Sequence, residues 1–491
     1  MRLVAPAGDQ AGHSHAFITS GNTPVWLMWG TISGLPERPV VLSTPNRLDL
    51  DVRSGRGASR PREVQCPPMI HRAQAPPFSD VEPADPEVRA WWTLAALGLL
   101  LRFVIMPYGG FPVDIGTFKA WATSLADNGP AAFYGAGFAD YLPGYLYILW
   151  IIGEINRAVR LNDLAFLFAL KLPAALGDLG AAWLIFWLLR RFKSTLALPL
   201  AASYLFNPGI VFNSAFWGQA DAVGAFFSLA GVATLGVGSP VAAAILLVAS
   251  VLIKPQTGAV LIPAGLYLLR TLSRPAEGPP RWDLVLGAAG AGAAALVLVI
   301  LPFGLSPIGL MGVLRTALGV YPFSSVVAFN FWGATQGFWQ QDSVRWLVVP
   351  LYAIGTTATL VALIAVAVWA WRRSRVPHVV LAAAAGLLIT FALPTRIHER
   401  YLLPALPFLA VASGLDRRLL VAYAGLSLVF LLNLVYAYTR PYAQTFLLPQ
   451  WIDRSIFSDP ATRVYSGVCV VLLVVTLVVL FTKARSTDVQ V

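Results

Sequence analysis

Residues 109–147 read GGFPVDIGTFKAWATSLADNGPAAFYGAGFADYLPGYLY and follow the first apolar segment of membrane length, Ala90–Met106. This stretch is too polar, and too often interrupted by Gly and Pro, to cross a bilayer. It must therefore lie on one face of the membrane, as a loop with an amphipathic run at Ile115–Ala126. Asp114 stands at the edge of the membrane. Because an ionisable group held there costs free energy unless it is paired or used, Asp114 is a candidate functional residue.

The composition indicates a polytopic helical membrane protein. Of the 491 residues, 57% are hydrophobic and only 12% are charged, which excludes a soluble globular domain. The formal net charge is +11, but the basic residues cluster in short connections between apolar segments. That pattern orients a membrane protein and does not indicate a nucleic-acid partner. Cys66 and Cys469 lie in different environments, so neither a disulfide nor a cysteine metal site is expected.

The chain divides into three regions of different composition. Residues 1–86 are rich in Pro, Arg, Ser and Gly and lack a sustained apolar period, which predicts a disordered cytoplasmic leader with no visible signal peptide. Residues 87–485 are expected to form the transmembrane domain, with residues 109–163 as its first extracytoplasmic loop. Residues 486–491 are expected to form a short cytoplasmic tail.

The apolar segments and the basic clusters predict the topology. Twelve segments meet or approach the length of about 20 residues that crosses a bilayer: 90–106, 164–189, 196–213, 220–237, 239–253, 257–271, 284–303, 345–371, 378–394, 401–414, 419–437 and 463–482. Five basic clusters lie at 190–193, 270–281, 372–375, 417–418 and 483–485. Placing all five in the cytoplasm gives about twelve spans with both termini inside. The predicted fold is an all-α multi-pass protein of the cell (plasma) membrane, with a large amphipathic first extracytoplasmic loop.

This alternation requires that the apolar piece Tyr145–Ile155 does not cross the membrane. If it crossed, residues 156–160 would be cytoplasmic, and the segment at 164–189 would have to split or return to the same side. We therefore interpret Tyr145–Ile155 as a juxtamembrane helix on the outer face, within the loop that carries Asp114. The less basic and more aromatic connections then all lie outside, where a site is expected.

Asp114 has two interpretations. A carboxylate in a partly dry cleft can act as a general base on a hydroxyl group, because burial raises its pKa towards the working pH. Asp114 is also a reasonable N-cap for the amphipathic run that follows it. One aspartate can serve both purposes.

The motif WGQAD at 217–221 gathers polar and amphipathic side chains where two apolar segments meet. Trp217, Gln219 and Asp221 suit a sugar, because sugars present hydroxyl groups for hydrogen bonds and apolar faces for an indole. The alternative is an aromatic anchor at the membrane interface beside a helix cap. Asp221 fits that alternative poorly, because it lies just inside the next span.

Lys254 is followed by Pro255 and Gln256 within an apolar run. The proline breaks the helix and frees carbonyl groups, while Lys254 brings a cation to the membrane boundary. The alternative is that Lys254 extends its side chain to the lipid headgroups.

The segment Arg396–Tyr401 reads RIHERY between two apolar spans. Two guanidinium groups and an imidazole at a helix start form an anion site, since Arg matches phosphate oxygens and the helix N-terminus adds its dipole. A topology error would instead make this cluster a cytoplasmic stop signal. His398 with Glu399 is a weak metal signature, because no second histidine follows at helical spacing.

Several motifs together resemble the GT-C superfamily of integral-membrane glycosyltransferases, and in particular the bacterial relatives of the glycosylphosphatidylinositol mannosyltransferase II family. The resemblance covers roughly Ala90–Leu480, and its motifs are DIGTFKAWA, DYLPGYLY, WGQAD, KPQ, AFNFWG and HERYLLPALP. It implies transfer of a hexose, with mannose favoured, from a polyprenyl-phosphate sugar on the extracytoplasmic face. The acceptor would be a hydroxyl group of a glycolipid, a glycan or a protein, and no nucleotide sugar would enter the site.

The resemblance also implies roles for individual residues. Asp114 matches the catalytic base, and the reaction would invert the anomeric carbon. The basic loop that holds the donor phosphate would match His398 and Arg400, with Arg396 nearby, and we add Lys254 to this phosphate-binding set as a further cation. The sugar or the acceptor would meet a second set: Trp217, Gln219, Asp221, Asp140, Tyr141 and Glu399.

The sequence departs from the family pattern at two places. Leu142 precedes Pro143 where a second proline is usual, and Asp114 is followed by Ile115 where many members carry a paired acidic motif. A divalent metal is therefore possible but not implied, and no cofactor is expected. The competing interpretation is a secondary transporter or flippase for an anionic or lipid-linked sugar, which also has about twelve spans and broken helices. No internal repeat between the halves supports it.

Overall fold

The computed structural model describes residues 85–275, 278–373, 375–440 and 448–482. The predicted leader up to residue 84, the predicted tail at 486–491, the basic cluster at 483–485 and Cys66 lie outside these residues. The fold is mostly helical, as the composition predicts.

The first half of the described chain contains ten helices. They are α1 (Pro86–Ile105), α2 (Pro112–Asn128), α3 (Pro143–Val159), α4 (Asp163–Arg191), α5 (Ala197–Leu205), α6 (Pro208–Val211), α7 (Asp221–Gly236), α8 (Pro240–Ile253), α9 (Leu261–Ser273) and α10 (Trp282–Ile300). A π-helix, Phe212–Trp217, continues α6, and a 3-10 helix, Pro255–Val260, precedes α9.

The second half adds eight helices and one short hairpin. The helices are α11 (Pro307–Gly319), α12 (Phe331–Thr335), α13 (Leu351–Trp371), α14 (Val376–Ala392), α15 (Ala405–Leu415), α16 (Leu420–Thr439), α17 (Gln450–Ser455) and α18 (Asp459–Thr482). The strands β1 (Arg345–Trp346) and β2 (Val349–Pro350) pair antiparallel just before α13. A 3-10 helix, Glu399–Leu402, precedes α15.

Six of the described helices are long and apolar enough to cross a membrane. They are α1, α4, α10 extended to Phe303, α13, α16 preceded by residues 417–419, and α18. Four shorter apolar helices accompany them: α7, α8, α11 and α14. These lengths and compositions support a bilayer environment, as the sequence predicts.

Three of the predicted apolar segments are broken helices. The segment at 196–213 is divided into α5, α6 and the π-helix, and the segments at 257–271 and 401–414 each begin with a 3-10 helix. Prolines lie at all three breaks, at residues 208, 255 and 404, because proline lacks the N–H that continues a helix. The break at Pro255 was predicted. Each break lies beside a predicted site residue: Trp217 ends the π-helix, Lys254 precedes Pro255, and Arg400 lies four residues before Pro404.

The loop after α1 folds into two packed helices, α2 and α3. Phe118 and Trp121 of α2 share a buried cluster with Tyr145 and Leu149 of α3. Gly153 permits the close approach, since a Cβ atom at that position would collide with the backbone carbonyl of Ala122. This local core fixes the start of α2, which carries Asp114, and the start of α3, which follows Tyr141.

Candidate functional site

Asp114 lies in the first turn of α2, two residues after Pro112 at the helix start. Its Oδ2 atom accepts hydrogen bonds from Trp217 Nε1 at 2.7 Å and from Gln219 Nε2 at 2.5 Å. The N-cap position belongs to Phe111, and no side chain caps the helix there. The N-cap interpretation of Asp114 is therefore wrong, because its carboxylate is used by the WGQAD motif and not by its own helix.

Trp217 and Gln219 reach Asp114 because the backbone turns sharply between them. Trp217 ends the π-helix, and Gly218 adopts a left-handed conformation with φ 91° before α7 starts at Asp221. The indole of Trp217 is only 1% exposed and packs against the rings of Phe111 and Tyr438. An aromatic anchor at the membrane interface would be exposed to headgroups, so that interpretation of Trp217 is wrong.

Lys254 extends the same network. Its Nζ atom donates to the Tyr141 hydroxyl at 2.8 Å and lies 3.5 Å from Asp221 Oδ1. The Tyr141 hydroxyl in turn donates to Gln219 Oε1 at 3.5 Å. Lys254 is 4% exposed. A lysine that extends to lipid headgroups would not be buried, so this interpretation is also wrong.

The segment RIHERY supplies a second charged group. Arg400 Nη1 donates to Glu399 Oε1 at 2.8 Å, and His398 Nδ1 lies 3.8 Å from Glu399 Oε2. Burial disfavours the charged form of Arg400, but the carboxylates of Glu399, Asp114 and Asp221 outweigh it and raise the pKa of Arg400. Burial and the charge of Arg400 lower the pKa of His398. The structure thus brings Arg400 within the electrostatic reach of Asp114.

Arg396 has a different environment from the one the sequence suggests. Its Nε atom donates to Asp342 Oδ2 at 2.6 Å, and its Nη1 atom donates to the carbonyl of Leu318 at 2.9 Å. Asp342, which is 2% exposed, also accepts a hydrogen bond from Thr395 Oγ1. Arg396 is therefore committed to an ion pair that connects the 320–342 loop to the RIHERY segment. No motif surrounds Asp342, so no sequence signal identifies this pair.

A cavity of about 450 Å³ lies beside these groups. Asp140, Lys254, Arg396 and His398 are among its polar lining residues. Burial raises the pKa of Asp140, and the charges of Arg400 and Lys254 offset part of that effect. The remaining walls are mainly apolar and include Leu142, Ile253, Leu314, Ala317 and Leu318.

Most of the predicted site residues form two neighbouring groups, while Asp221 pairs with Lys254 and Glu399 pairs with Arg400. Asp114 contacts Trp217 and Gln219, and the cavity carries its own lining set: Asp140, Tyr141, Lys254, Arg396 and His398. Tyr141 connects them through its hydrogen bonds with Gln219 and Lys254. The carboxylate of Asp114 and one of the cations that the sequence selects, Lys254, are thus parts of one network.

Three ionisable residues inside predicted spans were not selected from the sequence. Arg102 Nη2 contacts Asp178 Oδ2 at 2.9 Å, and both side chains are fully buried between α1 and α4. Lys171 lies on α4, seven residues before Asp178. The available signal was a charged residue within an apolar run, which is costly unless a partner or a function compensates for it.

Among the residues that the structure describes, no group of three or more His, Cys, Asp or Glu side chains is placed to hold a metal ion. Compared with known protein families and with curated proteins, the chain matches none.

Proposed function

We propose that this protein is an inverting membrane glycosyltransferase. It moves a hexose, with mannose favoured, from a polyprenyl-phosphate sugar to a hydroxyl group of a glycolipid, glycan or protein acceptor. The observation that carries the proposal is the hydrogen-bond chain from a half-buried carboxylate, Asp114, through Gln219 and Tyr141 to Lys254, a buried cation that lines a mainly apolar cavity. A general base beside an anion site is the arrangement that glycosyl transfer from a lipid phosphate requires.

Asp114 is the base in this mechanism. Both of its described hydrogen bonds fall on Oδ2, and Oδ1 has no hydrogen-bond partner among the described residues. Trp217 and Gln219 orient the carboxylate, so that Oδ1 is available to an acceptor hydroxyl. The acceptor oxygen attacks the anomeric carbon, the bond from that carbon to the phosphate oxygen breaks, and the acceptor proton moves to Asp114. Polyprenyl phosphate leaves with the electron pair of the broken bond.

The cations stabilise the charge that develops on the leaving phosphate. Lys254 lines the cavity as a cation, and Arg400 interacts electrostatically with Asp114. His398 also lines the cavity, but burial and the charge of Arg400 lower its pKa, so it serves as a neutral hydrogen-bond donor. Charge stabilisation by preorganised groups is usually the largest contribution in such reactions. Arg396 supports the phosphate site less directly, because it already pairs with Asp342.

The apolar walls suit the lipid part of the donor. Leu314, Ala317 and Leu318 come from α11, whose Ile308 and Met311 side chains are exposed on its outer surface. A polyprenyl chain could thus pass from the bilayer to the cavity along α11. In the topology that we propose, about twelve spans include the three broken helices, both termini are cytoplasmic, and the site faces the extracytoplasmic side of the plasma membrane.

A transporter or flippase for a lipid-linked or anionic sugar is the second candidate. The specific observation in its favour is that two of the broken helices, those that begin with the 3-10 helices Pro255–Val260 and Glu399–Leu402, line one charged cavity, and broken helices at a charged site are typical of secondary transporters. Such a protein would move its substrate without breaking the glycosyl–phosphate bond.

The experiment that tests the proposal supplies the purified protein in lipid with a panel of polyprenyl-phosphate sugars and crude lipid and glycan acceptors. We expect one donor to release polyprenyl phosphate. Arg400→Ala should reduce release by about 100-fold or more, as expected when charge stabilisation is lost. The matched control is Arg418→Ala, which removes an exposed arginine paired with Asp416 and should retain release. Accumulation of an intact sugar substrate in proteoliposomes, without release from any donor, would favour the transporter.

A further inference from the structure

Lys171 has an unusual set of partners for a lysine within a membrane-length helix. Its side chain is fully buried in α4, and no acidic side chain among the described residues pairs with it. Its Nζ atom instead donates to three main-chain carbonyls, those of Met106 at 3.0 Å, Tyr108 at 2.9 Å and Phe216 at 3.0 Å. An ammonium group has three donors, so these bonds satisfy all of them.

These carbonyls lie where two helical segments end. Met106 follows the last residue of α1, and Phe216 lies in the last turn of the π-helix. Carbonyls at helix C-termini lack intrahelical partners and carry partial negative charge. A single cation between two such ends satisfies both of them. Lys171 therefore fastens the end of α1 to the end of the π-helix.

The fastened segments are the ones that carry Asp114 and Trp217. The Gly110 amide donates to the same Phe216 carbonyl at 2.6 Å, and the Phe111 amide donates to the Trp217 carbonyl at 3.3 Å. Asp114 follows Phe111 by three residues. The 2.7 Å hydrogen bond from Trp217 Nε1 to Asp114 Oδ2 thus joins two segments that Lys171 holds together.

The packing around the turn at Gly218 supports this role. A Cβ atom at Gly218 would lie 3.2 Å from Lys171 Cγ and 2.9 Å from Ile115 Cδ1, so the lysine stem passes directly beneath the turn. Asp178, two helical turns further along the same face of α4, accepts a hydrogen bond from Ser214 at 2.5 Å. The π-helix is therefore fixed to α4 at two points.

We propose that Lys171 is a positioning residue for the site: it holds residues 106–111 against residues 216–217 and thereby sets the geometry of Asp114 against Trp217. Its consequence for turnover rests on the proposed function. The structural connection itself does not, and the two can be tested separately.

The connection is tested by hydrogen–deuterium exchange of the full-length protein without any substrate. In Lys171→Met, we expect amide exchange at 108–114 and 213–219 to rise about 10-fold or more, because these hydrogen bonds then open locally. Lys171→Gln, which keeps two donors, should give a smaller rise. The matched control is Lys119→Met, which removes a lysine of α2 whose Nζ pairs with Asp163 at 2.8 Å, and it should leave both segments unchanged.

A folded Lys171→Met protein with unchanged exchange in both segments would overturn the proposal. If Lys171→Met does not fold, Lys171→Gln decides by the same criterion, because a rise confined to the two segments supports the connection and no rise contradicts it.

The effect on turnover is measured with the donor that the wild-type protein uses. We expect kcat of Lys171→Met to fall about 100-fold, as for a misplacement of about 1 Å, while the donor KM stays nearly constant. In a Trp217→Phe background, which already lacks the indole hydrogen bond, Lys171→Met should lower kcat much less than it does in the wild-type protein. Additive losses would contradict a positioning role through Trp217. A wild-type protein that transfers no sugar would count against the proposed function, and the exchange result would still decide the structural connection.

Discussion

The hydroxyl group of Tyr141 accepts a hydrogen bond from Lys254 Nζ at 2.8 Å and donates one to Gln219 Oε1 at 3.5 Å. Burial raises the pKa of Tyr141, so the phenol keeps its proton and can fill both roles at neutral pH. Gln219 also donates to Asp114. A phosphate that binds at Lys254 is thus connected through hydrogen bonds to the side chain that orients the proposed base.

At the residue scale, His398 gives a prediction for pH dependence. Burial and the charge of Arg400 lower its pKa from the ordinary value of 6.5. The unfolded chain therefore binds a proton at a pH where the folded imidazole does not, and acid favours unfolding. We expect the unfolding temperature to fall as the pH is lowered from about 7.5 to about 5.5, and to fall less in His398→Gln. The unfolding temperatures are measured by thermal denaturation in detergent. Equal decreases in the wild-type protein and in His398→Gln would show that protonation of His398 does not cause the acid sensitivity.

At the scale of elements, the helix breaks and the candidate site residues occur together. Trp217 ends the π-helix, Lys254 precedes one 3-10 helix, and Arg400 lies in another. Irregular backbone at membrane depth is tolerated only where it is buried in protein or lines a cavity. The breaks thus free backbone groups and side chains at one place, next to α2 and α3 of the first loop.

Gly218 gives the prediction for the turn between these elements. Gly218→Ala places a Cβ atom 2.9 Å from Ile115 Cδ1 at a residue with φ 91°. We expect a loss of about 1–3 kcal/mol in the free energy of unfolding, and lower turnover because Trp217 and Gln219 shift away from Asp114.

The matched control for that substitution is Gly116→Ala. Gly116 lies in α2, and a Cβ atom there meets no atom within 4 Å. The free energy of unfolding of this control should rise by about 0.5–1 kcal/mol, because alanine is the better helix former. Denaturation and transfer assays on both variants check the prediction, and a Gly218→Ala protein as stable and active as Gly116→Ala would contradict it.

At the scale of the whole molecule, the sequence predicts the elements better than their contacts. Apolar runs and proline positions indicate a mostly helical membrane protein and the break at Pro255, because these depend on local composition. The partners of Asp114 and Arg396 could not be predicted in this way. Trp217 lies 103 residues from Asp114, and Asp342 lies 54 residues from Arg396. Such pairs depend on how the helices pack. The family resemblance assigned Asp114 and Trp217 to one site, but it gave no indication that Arg396 pairs with Asp342.

The proposed topology makes a prediction about two exposed positions. Phe138, in the loop between α2 and α3, is 59% exposed, and Arg281 precedes α10 with an exposed side chain. In a background without Cys66 and Cys469, a membrane-impermeant maleimide applied to intact cells should label Phe138→Cys and should label Arg281→Cys only after lysis. The reverse pattern would place the site in the cytoplasm.

The central claim is that Asp114 is the base of a transfer from a polyprenyl-phosphate sugar. The most direct measurement compares polyprenyl phosphate release by the wild-type protein and Asp114→Asn, with Asp127→Asn as the matched control. Asp127 lies exposed near the end of the same helix, α2. We predict that Asp114→Asn folds as the wild type does but loses turnover by about 100-fold or more, as expected for a general base, while Asp127→Asn retains it. Near-normal release by Asp114→Asn would remove Asp114 from the mechanism.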